Sequence, residues 1–162
     1  MPPYLPPEQW HATLPGVIAA AAAVIGDGDG RVLLVKPNYR DHWALPGGVC
    51  ERGESPHAAC AREVTEELGL VLKIGRLLAV DWSEPEPAYG PDARPVVRFI
   101  FDGGTLHDVG GITLQADELD DWRFVGQDQL AGYLPAHILA RTVAALRALG
   151  SGGASYVPDA SS

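Results

Sequence analysis

The chain has 162 residues, 46% of them hydrophobic and 20% charged, with a net charge of −9 and two cysteines. That length suits one well-buried domain and is too short for two comfortable ones. The negative balance argues against a nucleic acid duplex or an anionic membrane as partner, because both attract basic surface. A small anionic substrate stays compatible, since a bound divalent ion can supply the positive charge locally.

Residues 1 to 15 hold five prolines together with Tyr4 and Trp10, which reads as an extended arm and not an opening helix. Such an arm could lie across the domain or across a partner subunit, which leaves a homodimer open. Gly16 to Ile25 is the most apolar run. Ten residues cannot span a bilayer and no basic leader precedes them, so the run is expected to be a buried strand in a cytoplasmic protein with no membrane contact. Gly26-Asp27-Gly28-Asp29-Gly30 then reads as a turn into a second strand, Arg31 to Val35. A calcium loop is the alternative, but the other acidic positions and the closing glutamate of such loops are missing. Lys36, Arg40 and Trp43 follow, ahead of Leu45-Pro46-Gly47-Gly48, whose paired glycines let backbone approach a ligand closely.

The densest chemistry comes next. Ser55 with Pro56 is a helix-start signal and Gly69 a stop, which predicts a helix over 56–68. At roughly 100° per residue, Glu63, Glu66 and Glu67 share one face and Ala61, Val64 and Leu68 the other. Carboxylates at i, i+3 and i+4 repel, and these lie far from the N-terminus where a helix dipole would favour them. Taken alone, an exposed acidic face is the ordinary outcome for such a pattern. Divalent cations between the carboxylates are the reading that gives the pattern a use, and magnesium, held by a few carboxylates with water and phosphate filling its shell, points to phosphate chemistry. Arg62 can pair with Glu66 one turn on, or contact phosphate. Cys50 and Cys60 fit no zinc spacing and read as reduced thiols.

Farther on, Val71 to Trp82 and Pro95 to Phe101 read as strands. The segment between them, 83 to 94, carries Pro85, Pro87, Pro91 and Tyr89 and reads as a functional loop. Ile112 to Leu114 and Trp122 to Val125 are expected as short strands, and Pro135 to Leu149 as an amphipathic helix. The expected organisation is an arm over 1–15, a domain over 16–150 and a disordered Ser/Gly/Ala-rich tail over 151–162. Strands on both sides of a helix with a late second helix give an α/β class, the sheet in the middle.

The stretch Gly48 to Leu70 resembles the Nudix box. Gly48, Glu54, Arg62, Glu63, Val64, Glu66, Glu67, Gly69 and Leu70 fill every specified place of that pattern. The resemblance implies the Nudix fold, an α/β/α sandwich with a central mixed β-sheet, and a loop-helix-loop for the box itself. It implies hydrolysis of a nucleoside diphosphate linked to a moiety X, with Mg2+ or Mn2+ as cofactor. By the same resemblance Glu63 and Glu67 are metal ligands and Glu66 is a third or water-bridged one. The Gly47 carbonyl is a further metal ligand, and Glu54 supports the helix or meets metal through water.

A fourth carboxylate from outside the helix completes the site in such proteins, and Glu118, in an acidic loop before Trp122-Arg123-Phe124-Val125, is the choice here. Glu84 and Glu86 are next, and Glu66 could itself be the base. Trp43 could stack on a base, Arg40 could pair with phosphate, and Lys36 and Gly48 complete the substrate-binding candidates; Trp82 and Tyr89 are further stacking candidates. Pro85, fifteen residues past Leu70, resembles the ADP-ribose pyrophosphatase subgroup, whereas the upstream segment lacks the coenzyme A pyrophosphatase pattern. The resulting expectation is a nucleotide pyrophosphohydrolase of unassigned X. The alternatives are an ADP-ribose or nucleotide-sugar pyrophosphatase, or a non-catalytic nucleotide sensor.

Overall fold

A computed structural model describes residues 4–158. Seven strands make one mixed sheet: β1 (Ile18–Gly26), β2 (Arg31–Pro37), β3 (Gly47–Val49), β4 (Leu77–Ser83), β5 (Val96–Thr105), β6 (Leu119–Gly126) and β7 (Ser155–Val157). Their order is β6-β2-β1-β5-β4-β7, with β3 paired to β1. β1 runs parallel to β5 and β4 parallel to β7, and the remaining pairs are antiparallel. Three helices accompany them: α1 (Pro7–Ala12), α2 (Pro56–Leu68) and α3 (Ala136–Ser151).

Side chains alternate across a strand, and β1 uses that alternation twice. Ala21, Ala23 and Ile25 pack with Val64 and Leu68 of α2, while Val24 joins Ile138, Ala145 and Ala148 of α3 on the opposite face. Its alanines let both layers approach the central strand. The result is the expected α/β/α sandwich. Gly26-Asp27-Gly28-Asp29-Gly30 is a turn in which Asp27 Oδ1 accepts the amides of Asp29 at 2.8 Å and Arg31 at 3.1 Å, so the aspartate is used by the backbone.

Four expectations are corrected. The arm contains α1, because Pro7 sits in the first helical turn where its missing N–H costs nothing and Trp10 N donates to Pro6 O at 2.9 Å. None of the residues of α1 is buried. The strand expected from Val71 starts only at Leu77. Before that, Ile74 is buried against α2 and Gly75 N bonds Asp102 O, so the apolar residues pack without joining the sheet. Ile112 to Leu114 is no strand either: Thr113 N and Gln115 N donate to Leu68 O and Glu67 O, so this segment satisfies the carbonyls at the end of α2. Finally, α3 extends to Ser151 and Ser155–Val157 pairs with Ala79 to Asp81, so the tail contributes the edge strand β7. The expectation of disorder for 159–162 lies outside the described residues. Among the described residues no helix is long and apolar enough to cross a membrane.

Candidate active site

Helix α2 has the ends its sequence asks for. Ser55 Oγ accepts Ala58 N at 3.2 Å, and Gly69 takes the left-handed conformation at φ 69° while its amide caps Thr65 O. These ends set the helix register, and the register lays the carboxylates against β3. Glu67 Oε2 accepts the Gly47 amide at 2.8 Å. Glu63 lies over Gly48, where a β-carbon would come within 2.3 Å of Glu63 Oε1. Two glycines thus let the backbone of β3 lie directly against the two carboxylates.

The acidic face is less exposed than its pattern suggests. Glu67 is 7% exposed and counts among the buried residues of α2, whereas Glu66 stays half-exposed. Burial pushes the Glu67 carboxyl up to about 8, helped by the nearby charges of Glu63, Glu118 and Glu66 and opposed by the Gly47 amide. Burial also raises Glu63, against the pull of Arg62, with Glu66 and Glu118 adding to the rise. Glu118 therefore acts electrostatically on the same two carboxylates. It stands at the foot of β6, its carbonyl accepting Asn38 N at 2.9 Å, while Asn38 Nδ2 donates to Asp117 O at 2.8 Å.

Arg62 organises the group. Its Nη1 donates to Glu63 Oε1 and to Glu66 Oε2, both at 2.9 Å, its Nε and Nη2 donate to the two oxygens of Glu54 at 2.9 and 3.0 Å, and Nη2 reaches Val49 O at 3.1 Å. The pairing with Glu66 expected from the i, i+4 spacing is present, and the bidentate grip on Glu54 accompanies it. Glu54 also accepts Glu51 N, and with Arg62 it is held below the usual carboxylate range. Its place is support of the loop and of Arg62. Among the described residues no three acidic, histidine or cysteine side chains are closed up into a metal cluster. Glu63 and Glu66 both face the Arg62 cation, which is the counter-charge they share.

The substrate-side candidates are less concentrated. Lys36 Nζ donates to the carbonyls of Pro37, at 2.9 Å, and Arg40, so it ties its own loop. Arg123 lies over the Trp43 ring at 4.5 Å and Tyr133 meets that ring edge-on at 5.6 Å. A face of Trp43 is thus covered by a cation that sequence reasoning passed over, although Arg123 stands beside Trp122 on the edge strand β6. Arg40 is exposed above Tyr39. Trp82 Nε1 donates to Glu84 Oε1 at 2.9 Å beyond the end of β4, and Tyr89 is 75% exposed. Cys60 is buried and its thiol is pushed up to about 12 by burial and by Glu63 and Glu67, so it stays protonated.

An α/β/α sandwich with an Arg-tethered carboxylate helix against a Gly-Gly strand is the architecture that the box resemblance implies. A family model described as NUDIX domain matches residues 17–146, and the chain belongs to the Nudix family. It is similar to a MutT-like protein of Streptomyces ambofaciens, 32% identical over 60% of this chain and 58% of that protein. It is also 40% identical to the diphosphoinositol polyphosphate phosphohydrolase 3-alpha of Homo sapiens, over 44% of each chain. The crystal structure of a UDP-X diphosphatase superposes with a TM-score of 0.68 at 25% identity, covering 94% of this chain and 76% of that one. The chain spans about half the length of the curated relatives it matches.

Proposed function

We propose that the protein hydrolyses the diphosphate linkage of a nucleoside diphosphate joined to a further moiety X, using Mg2+ or Mn2+. Glu63, Glu67 and the Gly47 carbonyl would hold the ion, with Glu66 and Glu118 completing the set. One observation carries this reading: Glu67 is almost fully buried beside Glu63 and Glu118, with the Gly47 amide as its hydrogen-bond donor. A buried carboxylate with other carboxylates around it carries a cost of desolvation and repulsion when ionised, and a hard divalent cation with oxygen ligands removes that cost. The donor set is all oxygen, which fits magnesium or manganese and not a softer metal.

A bound ion supplies Lewis-acid polarisation of a phosphoryl oxygen and a more acidic water. The chain's own residues do the rest. Gly47 lets β3 lie against β1, and Gly48 leaves room for Glu63 over the strand. Arg62 holds Glu63 and Glu66 in one orientation through Glu54. Glu66, the more exposed carboxylate of the helix, and Glu118 are the candidates to take the proton of the attacking water. The likeness to a UDP-X diphosphatase favours a nucleotide conjugate as substrate class.

The test is nucleoside monophosphate release under Mg2+ from canonical and oxidised nucleoside triphosphates, ADP-ribose, NADH, dinucleoside polyphosphates and sugar nucleotides. Glu67→Gln keeps an acceptor for the Gly47 amide and removes the charge, so turnover should fall by roughly 100-fold or more. Turnover that survives this substitution unchanged defeats the metal-site assignment, and tight nucleotide binding with no turnover of any compound points to a sensor.

A further inference from the structure

A second charged group lies on the opposite face of the sheet, where α3 packs. Asp81 of β4 and Arg98 of β5 are cross-strand partners, and Arg141 of α3 comes down on the same carboxylate. Asp81 is 5% exposed and Arg141 8%. Arg98 Nη1 and Arg141 Nη1 stand 3.4 and 3.1 Å from one oxygen, Asp81 Oδ2, and Arg98 Nη1 also donates to Ser83 Oγ at 2.8 Å. Two guanidinium groups thus share a single carboxylate. A pair kept for stability alone would need one cation, and the second, Arg98, with 29% of its side chain exposed, leaves the group with a net positive charge within reach of an anion.

Two histidines and a further arginine stand around this pair. His42 and His137 meet edge-on at 6.4 Å, and burial, followed by Arg141, Arg98 and His42, pushes His137 down. Arg141 is lowered to about 10, by burial first and then by Arg98, with Arg40 adding to the effect and Asp81 opposing it. Arg40 and His42 come from the loop ahead of Gly47, so the loop that leads into the carboxylate site also borders this group.

The charged cluster is next to the carboxylate site but separate from it. In the sheet, Asp81 pairs with Arg98, Arg98 with Ala20, and Ala20 with Val49 of β3. Arg98 and Val49 are therefore two strand spacings apart, about 10 Å. Its guanidinium bonds to β4, the strand farther from β3. Phosphates held at Glu63 and Glu67, on the α2 side of β3, do not reach it.

We infer that this cluster binds a phosphate group of the substrate remote from the linkage that is cleaved, so that the substrate is a nucleotide conjugate with an extra phosphate on its ribose or on X. Arg98 is the exposed anchor, Arg141 the buried one, and Asp81 the carboxylate that orients both. The substrate assignment rests on the hydrolase reading above, whereas the presence of an anion site does not.

The experiment has two arms. In the first, thermal unfolding is followed in EDTA with inorganic phosphate or with chloride at equal ionic strength, so that no metal takes part. Phosphate at ten times its dissociation constant should raise the wild-type midpoint by about 3 °C. Arg98→Gln leaves Asp81 and Arg141 as a balanced pair, so this variant should fold with an unreduced midpoint and lose the phosphate shift, while Arg98→Lys should keep most of it. A wild type indifferent to phosphate overturns the inference, as does an Arg98→Gln variant that shifts equally.

In the second arm, kcat/KM under Mg2+ is compared for NADPH against NADH and for coenzyme A against its 3′-dephospho form, pairs that differ by one remote phosphate. The phosphorylated member of at least one pair should be preferred by roughly 10- to 100-fold, the worth of one charge-assisted hydrogen bond, and Arg98→Gln should collapse that ratio. Equal turnover within both pairs overturns the substrate assignment even where the anion shift is present. A protein that turns over none of the four but hydrolyses another compound of the wider panel overturns the substrate assignment, whereas one that keeps the phosphate shift and hydrolyses nothing in that panel refutes the hydrolase reading.

Discussion

At the scale of single residues, the two adjacent glycines ahead of α2 do different work. A β-carbon on Gly48 would come within 2.3 Å of Glu63 Oε1, the far end of a flexible side chain, which can swing away. A β-carbon on Gly47 would lie 2.1 Å from the Ala21 carbonyl oxygen and 2.6 Å from Ala22 Cα, and Gly47 already sits at φ 149°. There the obstacle is the backbone of β1. Gly48→Ala should therefore melt close to wild type while weakening Mn2+ binding by about tenfold or more, because the displaced carboxylate is a proposed ligand. Gly47→Ala should lose about 3 kcal/mol or more of stability through the clash and the strained backbone. Melting curves and Mn2+ titrations of the two variants check this, and equal destabilisation would show that Gly48 protects the fold and not the position of Glu63.

At the scale of elements, the C-terminal strand depends on a residue far away in sequence. Arg76, just before β4, donates Nη2 to Ala148 O at 2.6 Å and Nη1 to Gly153 O, so it covers the last carbonyls of α3 and the turn after it. Gly152 turns the chain at φ 80°, and β7 then adds to β4. A cation bonded to the carbonyls at a helix C-terminus contributes about 1–2 kcal/mol. Arg76→Ala should lose that much and should speed amide exchange over residues 149–157 while leaving metal affinity unchanged. Exchange confined to wild-type rates in that segment would mean that β7 is held by its pairing alone. Arg76 explains why β7 is illegible in the sequence: Ser151-Gly152-Gly153-Ala154 is flexible by composition, and what orders the chain after it lies 77 positions earlier. Helix α2 is legible for the converse reason, since Ser55, Pro56 and Gly69 state its ends locally. Its carboxylates could be read from the box, but the burial of Glu67 could not, because it depends on where β3 lies. Asp81, Arg98 and Arg141 carry no motif at all; separations of 17 and 60 residues along the chain meet only through the fold.

At the scale of the whole molecule, one sheet carries both faces, so a ligand on the α2 side is felt as global stability. Burial pushes the Glu67 carboxyl up to about 8 in the folded chain, from an ordinary 4.5. The folded chain thus holds this proton more tightly than the unfolded one, and in a chelator the Glu67 contribution to stability is lost as pH rises from about 4.5 towards 8. A divalent ion reverses the sign, because it binds the ionised carboxylate and must displace the proton below pH 8. With Mg2+ at a hundred times its dissociation constant, binding adds about 2.7 kcal/mol, or roughly 5–10 °C in the midpoint for a chain of this size. The Mg2+-induced shift should therefore be small near pH 5.5 and grow to that size by pH 8.5. Glu67→Gln should melt higher than wild type in EDTA at pH 8.5, since it buries no charge, and should lose most of the Mg2+ shift at every pH. A shift of constant size across this range, or one retained by Glu67→Gln, would move the ion away from Glu67 and with it the proposed site of hydrolysis.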